Sequence, residues 1–214
     1  MRQNPFCGPR RGYHHGHLKN ALLEAARYLV GQHGPFGFTL AEAAKLAGVT
    51  PAAPYRHFPD RNALLGELRS QGFSLFHQRL KEAWDDGRPD ALGALMRMGS
   101  AYQAFAQEEP GFYAAIFGQT APSETLKTSD DSLELLKHAT AAVLAQFGAS
   151  PLAAQKLALQ IWAFSHGVAT LRQAGQLTGE HCTVSAEDLL ETAVTALFRD
   201  AVQVDLAEKP AVAG

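Results

Sequence analysis

The sequence predicts an all-α fold, and three observations support this prediction. Alanine is abundant along the 214 residues, and runs of β-branched residues are absent. Apolar residues recur at spacings of three and four, which is the period of an amphipathic helix. Glycine and proline stand between the apolar stretches, where they end one helix and open the next. We expect short helices in the first third of the chain and a bundle of longer helices after it.

The first third of the chain carries local signals for four helices. Gly34 and Pro35 end the first one, and Thr39 opens the second through a capping box with Glu42, in which each side chain bonds a backbone N–H of the other residue. Asp60 is placed to cap the fourth helix. The predicted ranges are about 17–33, 40–47, eight residues between Thr50-Pro51 and Phe58-Pro59, and 60–84.

The rest of the chain is predicted to form five further helices. Glycines at 148 and 175 end two of them, and Ser150, followed by proline, opens another. Ser185 is a predicted N-cap, with Asp188 in the position that completes a capping box. The predicted ranges are about 90–107, 112–117, 132–147, 151–174 and 186–202, with a loop over 118–128.

Composition favours a globular protein of the reducing cytoplasm. Hydrophobic residues make up 46% and charged residues 19% of the chain, which is typical of a folded domain. No apolar run reaches the ~18 residues of a membrane span, and the basic start, 1–11, lacks the apolar core of a signal peptide. Cys7 and Cys182 lie far apart in the sequence, so we expect no structural disulfide.

The net charge of −2 hides a strong asymmetry along the chain. Residues 1–70 hold nine Lys and Arg against four Asp and Glu, a formal charge of +5. Residues 71–214 hold ten against seventeen, a formal charge of −7. This pattern favours contact between the N-terminal third and a polyanion. A solvated basic face is the alternative interpretation of the same pattern.

The second and third predicted helices, joined by Gly48-Val49, have the dimensions of a helix-turn-helix. In that motif the second helix enters the major groove of DNA. Many helical hairpins share these dimensions, so the dimensions alone do not identify the motif. Polar side chains around the turn, which could contact DNA, strengthen the prediction. The candidate DNA-contacting residues are Arg10, Arg11, Thr39, Lys45, Thr50, Tyr55, Arg56, His57 and Arg61.

Three stretches, 13–23, 38–50 and 55–65, resemble the DNA-binding domain of TetR-like transcriptional regulators. Farther on, Trp162-Ala-Phe-Ser-His166-Gly167 resembles a Trp-x-x-x-His-Gly element of one C-terminal class in that family. The resemblance implies a homodimer with a C-terminal domain for dimerisation and ligand binding. It also implies binding to a palindromic DNA operator, release by an unknown small-molecule effector, and repression as the usual outcome.

By position, the resemblance assigns phosphate contacts to Tyr55 and His57 and a basic contact to Arg61. It implies that Phe58 seats the third helix in the core. Pro54 departs from the family pattern, in which Leu or Ile is usual, and because it has no N–H we expect a distorted helix start. Few of the groove-facing side chains can form hydrogen bonds with bases. We therefore expect the protein to recognise its operator partly through the shape of the DNA. The groove-facing positions implied by the resemblance are Thr50, Pro51, Ala52, Ala53 and Arg56.

An aromatic-rich region after residue 100 is the candidate effector site. Trp162 and His166 lie four residues apart and therefore share one helical face. A structural pairing in the core or in a dimer seam is the default interpretation of these two residues, and lining a ligand pocket is the alternative. The candidate ligand-binding residues are Tyr102, Phe105, Phe117, Trp162 and His166.

The predicted domains are a DNA-binding domain over 12–66 and a dimerisation and ligand-binding domain over 67–206, with flexible termini at 1–11 and 207–214. We expect no enzyme, because the chain shows no nucleophile elbow, phosphate-binding glycine loop or His-Glu-x-x-His pair. We expect no metal or cofactor either, since His14, His15 and His17 have no Cys or carboxylate cluster at ligand spacing. The alternative function is a helical ligand-binding protein with a vestigial helix-turn-helix.

Overall fold

The computed structural model describes residues 15–118, 127–177 and 184–208. Within these ranges the chain forms eight α-helices and two 3₁₀ turns, and no residue lies in a strand. The predicted all-α fold is confirmed. In chain order the α-helices are α1 (His15–His33), α2 (Leu40–Leu46), α3 (Arg61–Trp84), α4 (Ala91–Glu108), α5 (Pro110–Phe117), α6 (Lys127–Ala145), α7 (Pro151–Gln173) and α8 (Ala186–Glu208), and the 3₁₀ turns are Pro54–Arg56 and Asp85–Gly87.

The predicted helix caps form as expected. The Asp60 carboxylate accepts a hydrogen bond from the Ala63 N–H at 2.8 Å, where α3 begins. The Ser150 hydroxyl accepts one from the Ala153 N–H at 3.2 Å, where α7 begins. Each bond satisfies a donor that has no partner inside its helix. The start of α6 differs from the prediction, because the helix begins at residue 127 and not at 132.

The predicted third helix of eight residues is wrong, because a single 3₁₀ turn forms in its place. Pro54 has no backbone N–H, so it cannot donate the i→i−4 bond to the Thr50 carbonyl that would start an α-helix. The Ala53 N–H donates to that carbonyl at 3.0 Å, and the Arg56 N–H donates to the Ala53 carbonyl at 3.3 Å. Both are i→i−3 bonds, which define the tighter 3₁₀ geometry. Proline therefore shortens the whole helix and does not merely distort its start.

The described residues fall into two compact units. The first unit contains the chain up to Ser74 and the segment that begins at Glu109 and includes α5. The second unit contains Leu75–Glu108 and the described residues of α6, α7 and α8. The predicted flexible termini, 1–11 and 207–214, lie outside the described residues apart from the last two residues of α8.

In the first unit, α1 and α5 cross at two glycines. A side chain at Gly111 would place its Cβ only 2.1 Å from the Arg27 carbonyl oxygen, and one at Gly31 would lie 3.3 Å from the Gly111 nitrogen. Beside this crossing, Arg27 forms a 2.6 Å ion pair with Glu109. The segment α5 therefore packs within the unit that holds α1 and α2, although its sequence gave no sign of this.

The core of the second unit is formed by the apolar faces of its helices. Leu144 of α6 and Leu157 of α7 are fully buried, as is Phe76 in the part of α3 that belongs to this unit. The rings of Phe76 and Phe105 pack 5.1 Å apart. Val168, Ala186 and Leu190 form a smaller cluster where α7 meets α8. These contacts fix the position of the aromatic side chains that the sequence singled out.

Candidate nucleic-acid interface and effector region

Helix α2 begins with the predicted capping box. The Thr39 hydroxyl accepts a hydrogen bond from the Glu42 N–H at 3.2 Å, and the Glu42 carboxylate accepts one from the Thr39 N–H at 2.8 Å. These bonds with Thr39 lower the pKa of the Glu42 carboxyl below its usual range. The box fixes Thr39 at an exposed helix start, where backbone N–H groups can meet a phosphate.

A tight turn connects α2 to the segment that follows it. Gly48 has a φ of +72°, a left-handed conformation that glycine adopts without steric cost. The Val49 N–H then donates to the Ala44 carbonyl at 3.0 Å and closes the end of α2. The turn thus ends α2 and leaves Lys45 exposed on the last turn of that helix.

The segment 50–57 presents most of its predicted contact residues to solvent. Tyr55 is 61% exposed, and Arg56 beside it is exposed as well. Ala53 is buried together with Pro54, so the structure removes Ala53 from the predicted groove-facing set. The exposed members of the segment are Thr50, Pro51, Ala52, Tyr55 and Arg56, with His57 partly exposed.

Arg61, which is partly exposed, makes several contacts with residues of its own unit. Its guanidinium donates to the Phe36 carbonyl at 3.1 Å and lies 5.4 Å from the centre of the Phe36 ring. A second ring, that of Phe38, lies 5.8 Å away. Arg61 therefore braces the loop before α2 against the start of α3. The predicted residues Arg10 and Arg11 lie outside the described residues.

In the second unit the predicted effector residues form an aromatic cluster. The Tyr102 hydroxyl and His166 Nδ1 are 3.1 Å apart, at hydrogen-bond distance. The Trp162 ring meets those of Tyr102 and Phe76 edge-on, with centroids 6.1 and 6.2 Å apart. Burial lowers the pKa of the His166 imidazole, since the charged form loses solvation. Phe105 is fully buried in the same unit.

The predicted ligand residues do not all come together. Phe117 belongs to the first unit, where its ring packs 5.0 Å from that of Tyr113 and 6.3 Å from that of Phe73. Beside Tyr102 and Trp162 the interior holds a cavity of only about 20 Å³, lined almost wholly by apolar side chains. That is room for about one water molecule. The structure therefore shows this region closed.

A larger cavity of about 250 Å³ adjoins the closed region. Leu95, Gly99 and Ile161 line both cavities and so form the wall between them. Glu187 and Glu191 of α8 stand among the residues that line the larger one. A ligand that displaced this wall would reach Tyr102 and Trp162.

The sequence does not reveal which polar side chains are buried, and Arg69 and Gln103 are the two largest of them. Arg69, which is 8% exposed, donates from Nε to the Ala115 carbonyl at 2.7 Å, and its Nη2 has no hydrogen-bond partner in the described part of the chain. Gln103 is 1% exposed and its Oε1 is likewise without a partner there. Both occupy positions in the apolar stripe of a helix, which is the only signal that the sequence gives of them.

The described residues show neither a membrane-spanning helix nor a cluster of metal ligands. None of their helices has the length and apolar character that crossing a bilayer requires. No three His, Cys, Asp or Glu side chains converge there into a group that could hold a metal ion.

A helix-turn-helix in one unit and a helical bundle in the other define the class of a two-part helical regulator. Comparison with known proteins identifies the family to which this regulator belongs. Residues 22–68 match the model of bacterial regulatory proteins of the tetR family, and residues 95–197 match that of a tetracyclin repressor-like C-terminal domain. The two matches together cover well over half of the chain. The chain belongs to the TetR family of transcriptional regulators.

Individual relatives agree with this assignment. The HTH-type transcriptional regulator YobS of Bacillus subtilis (strain 168) is 27% identical over 115 residues, which are 54% of this chain and 59% of that protein. The HTH-type transcriptional regulator BetI of Rhizobium meliloti (strain 1021) is 25% identical over 117 residues, 51% of this chain and 55% of that one. The chain thus matches little more than half the length of these curated relatives.

Solved structures resemble the chain over nearly its whole length. A protein of unknown function from Rhodococcus sp. RHA1 is 29% identical, has a TM-score of 0.73, and the match covers 89% of this chain and 98% of that one. A TetR variant from Acinetobacter baumannii AYE, solved in complex with minocycline, has a TM-score of 0.59 at 19% identity, covering 87% and 97%. The second likeness shows a shared fold.

Proposed function

We propose that this protein is a transcriptional regulator that binds operator DNA through α2 and the segment 50–57. The observation that carries the proposal is the exposed pair Tyr55 and Arg56. This pair lies in the segment that follows the turn at Gly48-Val49. Family membership and the +5 formal charge of residues 1–70 support it. The proposal assigns the chain a regulatory role and no catalytic reaction.

Each exposed residue receives a role from its chemistry. Arg56 carries the fork of donors that suits the edge of a guanine, so it reads a base in the major groove. Tyr55, His57, Lys45 and Thr50 contact phosphates, and Thr39 offers the N-terminus of α2 to another. Pro51 and Ala52 have no polar side chain and contact thymine methyl groups. Because base contacts are few, DNA shape contributes to the choice of operator.

We propose further that two copies bind one palindromic operator through a seam of α7 and α8. Leu152 is 59% exposed and Leu159 48% exposed on α7, and single-chain packing leaves these large apolar side chains in water. A two-fold dimer would bury them and set two DNA-binding units about 34–36 Å apart, one helical turn of DNA. Light scattering should give about twice 23.0 kDa; a mass of one chain would contradict the seam.

The same proposal includes a small, largely apolar effector that releases the operator. It would enter by the 250 Å³ cavity and open the closed region at Tyr102, Trp162 and His166. Tyr102 and His166 supply the polar groups that orient it. An effector shifts the equilibrium only by its preference for the opened state, typically about 1–3 kcal/mol. A protein of the same fold was solved in complex with the small molecule minocycline, which supports the proposal of a small-molecule effector.

The decisive experiment is a titration of DNA from the protein's own promoter, followed by fluorescence anisotropy. Arg56→Ala should weaken binding by about 1–3 kcal/mol and relax specificity at one position of each half-site. Tyr55→Ala should weaken binding to all sequences alike. Matched controls are Arg88→Ala and Tyr28→Ala, which alter an exposed arginine and an exposed tyrosine outside the proposed DNA interface and dimer seam. Unchanged affinity and preference in Arg56→Ala would overturn the assignment and favour a vestigial helix-turn-helix.

A further inference from the structure

An exposed aromatic ring in the loop that leads into α2 has no role in the proposed function. Phe36 lies between α1 and α2, and its ring is 54% exposed. Phe38, two residues further on, is 3% exposed and belongs to the core. Exposure alone assigns no role to a single apolar ring. The contacts of Phe36 with a charged neighbour do suggest one.

The loop that carries Phe36 is fixed by its own backbone. The Gly37 N–H donates to the Gly34 carbonyl at 3.1 Å. A Cβ at Gly37 would lie 2.2 Å from the His33 carbonyl oxygen, so the chain passes too close to the end of α1 for a side chain at that position. At the other end of the loop, the capping box holds Thr39. Phe36 is therefore presented from a defined backbone.

The guanidinium of Arg61 is held by Phe36 and by other neutral groups. Its Nη1 donates to the Phe36 carbonyl at 3.1 Å, and the centre of the Phe36 ring lies 5.4 Å away. Its Nη2 donates to Asn62 Oδ1 at 3.3 Å, and the Phe38 ring lies 5.8 Å away. These bonds use two of the five N–H donors that a guanidinium carries. Arg61 is thus oriented while donors remain for a further acceptor.

These contacts fix the charge of Arg61 without neutralising it. Among the described residues no carboxylate forms an ion pair with Arg61, and the neighbouring Asp60 carboxylate instead caps α3 by accepting the Ala63 N–H. In the same unit, Arg27 is by contrast paired with Glu109 at 2.6 Å. A guanidinium that neutral partners hold in place keeps its attraction for an anion, and it loses less side-chain entropy when the anion binds.

We propose that Phe36 is a positioning residue for operator binding, because its ring holds the Arg61 guanidinium where a phosphate of the DNA can meet it. This inference rests on the proposed function, in which the same unit binds DNA. Arg61 makes the phosphate contact, and Phe36 acts through Arg61 without touching the DNA. Without the ring, the arginine samples more rotamers, and ordering it on the DNA then costs more free energy.

A double-mutant cycle with DNA from the protein's own promoter tests the proposal. At 0.1 M salt, Arg61→Ala should weaken binding by about eightfold for each bound copy, and it should reduce the slope of log K against log salt by about 0.9 for each copy, because one phosphate contact is lost. Phe36→Ala should weaken binding by about threefold or more in the wild-type background and leave it unchanged in the Arg61→Ala background. Equal losses in both backgrounds would show that Phe36 contacts DNA itself and would overturn the proposal, as would an unchanged salt slope in Arg61→Ala.

Two further variants test whether the ring itself is needed. Phe36→Tyr keeps the ring and should bind as the wild type does, whereas Phe36→Leu keeps apolar bulk without a ring and should bind as weakly as Phe36→Ala. Tyr28→Leu makes the matched change at an exposed ring of α1 outside the interface and should leave binding unchanged. Wild-type affinity in Phe36→Leu would overturn the proposal, and this comparison decides the matter if Arg61→Ala does not fold.

Stability and wild-type binding separate this inference from the proposed function. Urea unfolding of Phe36→Leu should have the midpoint of the wild type, because the ring is 54% exposed, so a loss of DNA affinity in this variant does not reflect unfolding. Wild-type binding that no change at Phe36 alters would overturn this inference alone. Absence of binding by the wild type would overturn the proposed function together with it.

Discussion

The two candidate sites of this protein differ in how far each is formed before its ligand arrives, and two tyrosines show the difference. Tyr55 of the DNA-binding segment is 61% exposed, whereas Tyr102 of the effector region is 4% exposed. The first site needs only an approaching phosphate. The second must open, because the cavity beside Tyr102 holds about 20 Å³. In the proposed function, DNA binding therefore needs no opening of its site, whereas an effector has to supply the free energy of opening.

The largest expected effect of this difference is on stability. Phe105→Ala removes a fully buried ring that packs 5.1 Å from Phe76, and it should lower the free energy of unfolding by about 3–5 kcal/mol. Tyr55→Ala removes an exposed ring and should change it by less than about 0.5 kcal/mol. Urea unfolding of both variants measures the contrast. Similar losses in the two variants would show that the segment 50–57 is as tightly packed as the core.

Local chemistry explains what the sequence could predict of these sites. The caps at Thr39, Asp60 and Ser150 depend on residues within three positions, so the sequence predicted them and the structure confirms them. The prediction of an eight-residue third helix is wrong, although Pro54 predicts a distorted start. Hydrogen bonds of the i→i−3 type satisfy the backbone around Pro54 in place of an α-helix. A local signal thus located the helix-turn-helix but overestimated the length of its second helix.

Long-range packing explains what the sequence could not predict. The bond from Gln103 to Ser165 joins residues on different helices, and the contact of Arg61 with the Phe36 carbonyl joins the start of α3 to the loop before α2. Periodicity places such residues on a face of a helix but says nothing about the opposing side chain. Phe117 shows the same limit, since its spacing fitted the aromatic set whereas its packing partners are Phe73 and Tyr113.

Removing one helix cap in each unit allows a matched comparison of their effects on stability and on DNA binding. Thr39→Ala and Ser150→Ala each remove a side chain that accepts a backbone N–H at the start of a helix, and each should lower stability by about 1 kcal/mol. Only Thr39→Ala should also weaken operator binding, because the N-terminus of α2 meets DNA in the proposed complex. Thermal unfolding and the anisotropy titration together separate the two effects. An equal loss of DNA affinity in both variants would assign it to stability alone.

Two helical glycines provide a smaller test of the closed region. An added Cβ at Gly99 of α4 or at Gly66 of α3 would have no atom within 4 Å. Alanine restricts the unfolded chain more than glycine does, so each substitution should raise stability by about 0.5–1 kcal/mol. Gly99 lines both effector-side cavities, and Gly66 serves as the control outside them. Stabilisation by Gly66→Ala with destabilisation by Gly99→Ala would show that the wall between the cavities already lacks space for a methyl group.

The smallest effect concerns pH, and it tests whether His166 is as enclosed as its contact with Tyr102 indicates. Burial lowers the pKa of His166 in the folded state, whereas in the unfolded chain it is about 6.5. Above that pH the histidine is neutral in both states and its contribution to stability is complete. As the pH falls below about 6.5, the unfolded chain takes up a proton before the folded one does, so stability is lost until the folded pKa is passed. The wild type should therefore lose more stability between pH 7.5 and pH 5 than His166→Gln, a comparison in which the other histidines cancel. Parallel pH profiles in urea unfolding would show that His166 is already solvated, and that the region around Tyr102 is open without an effector.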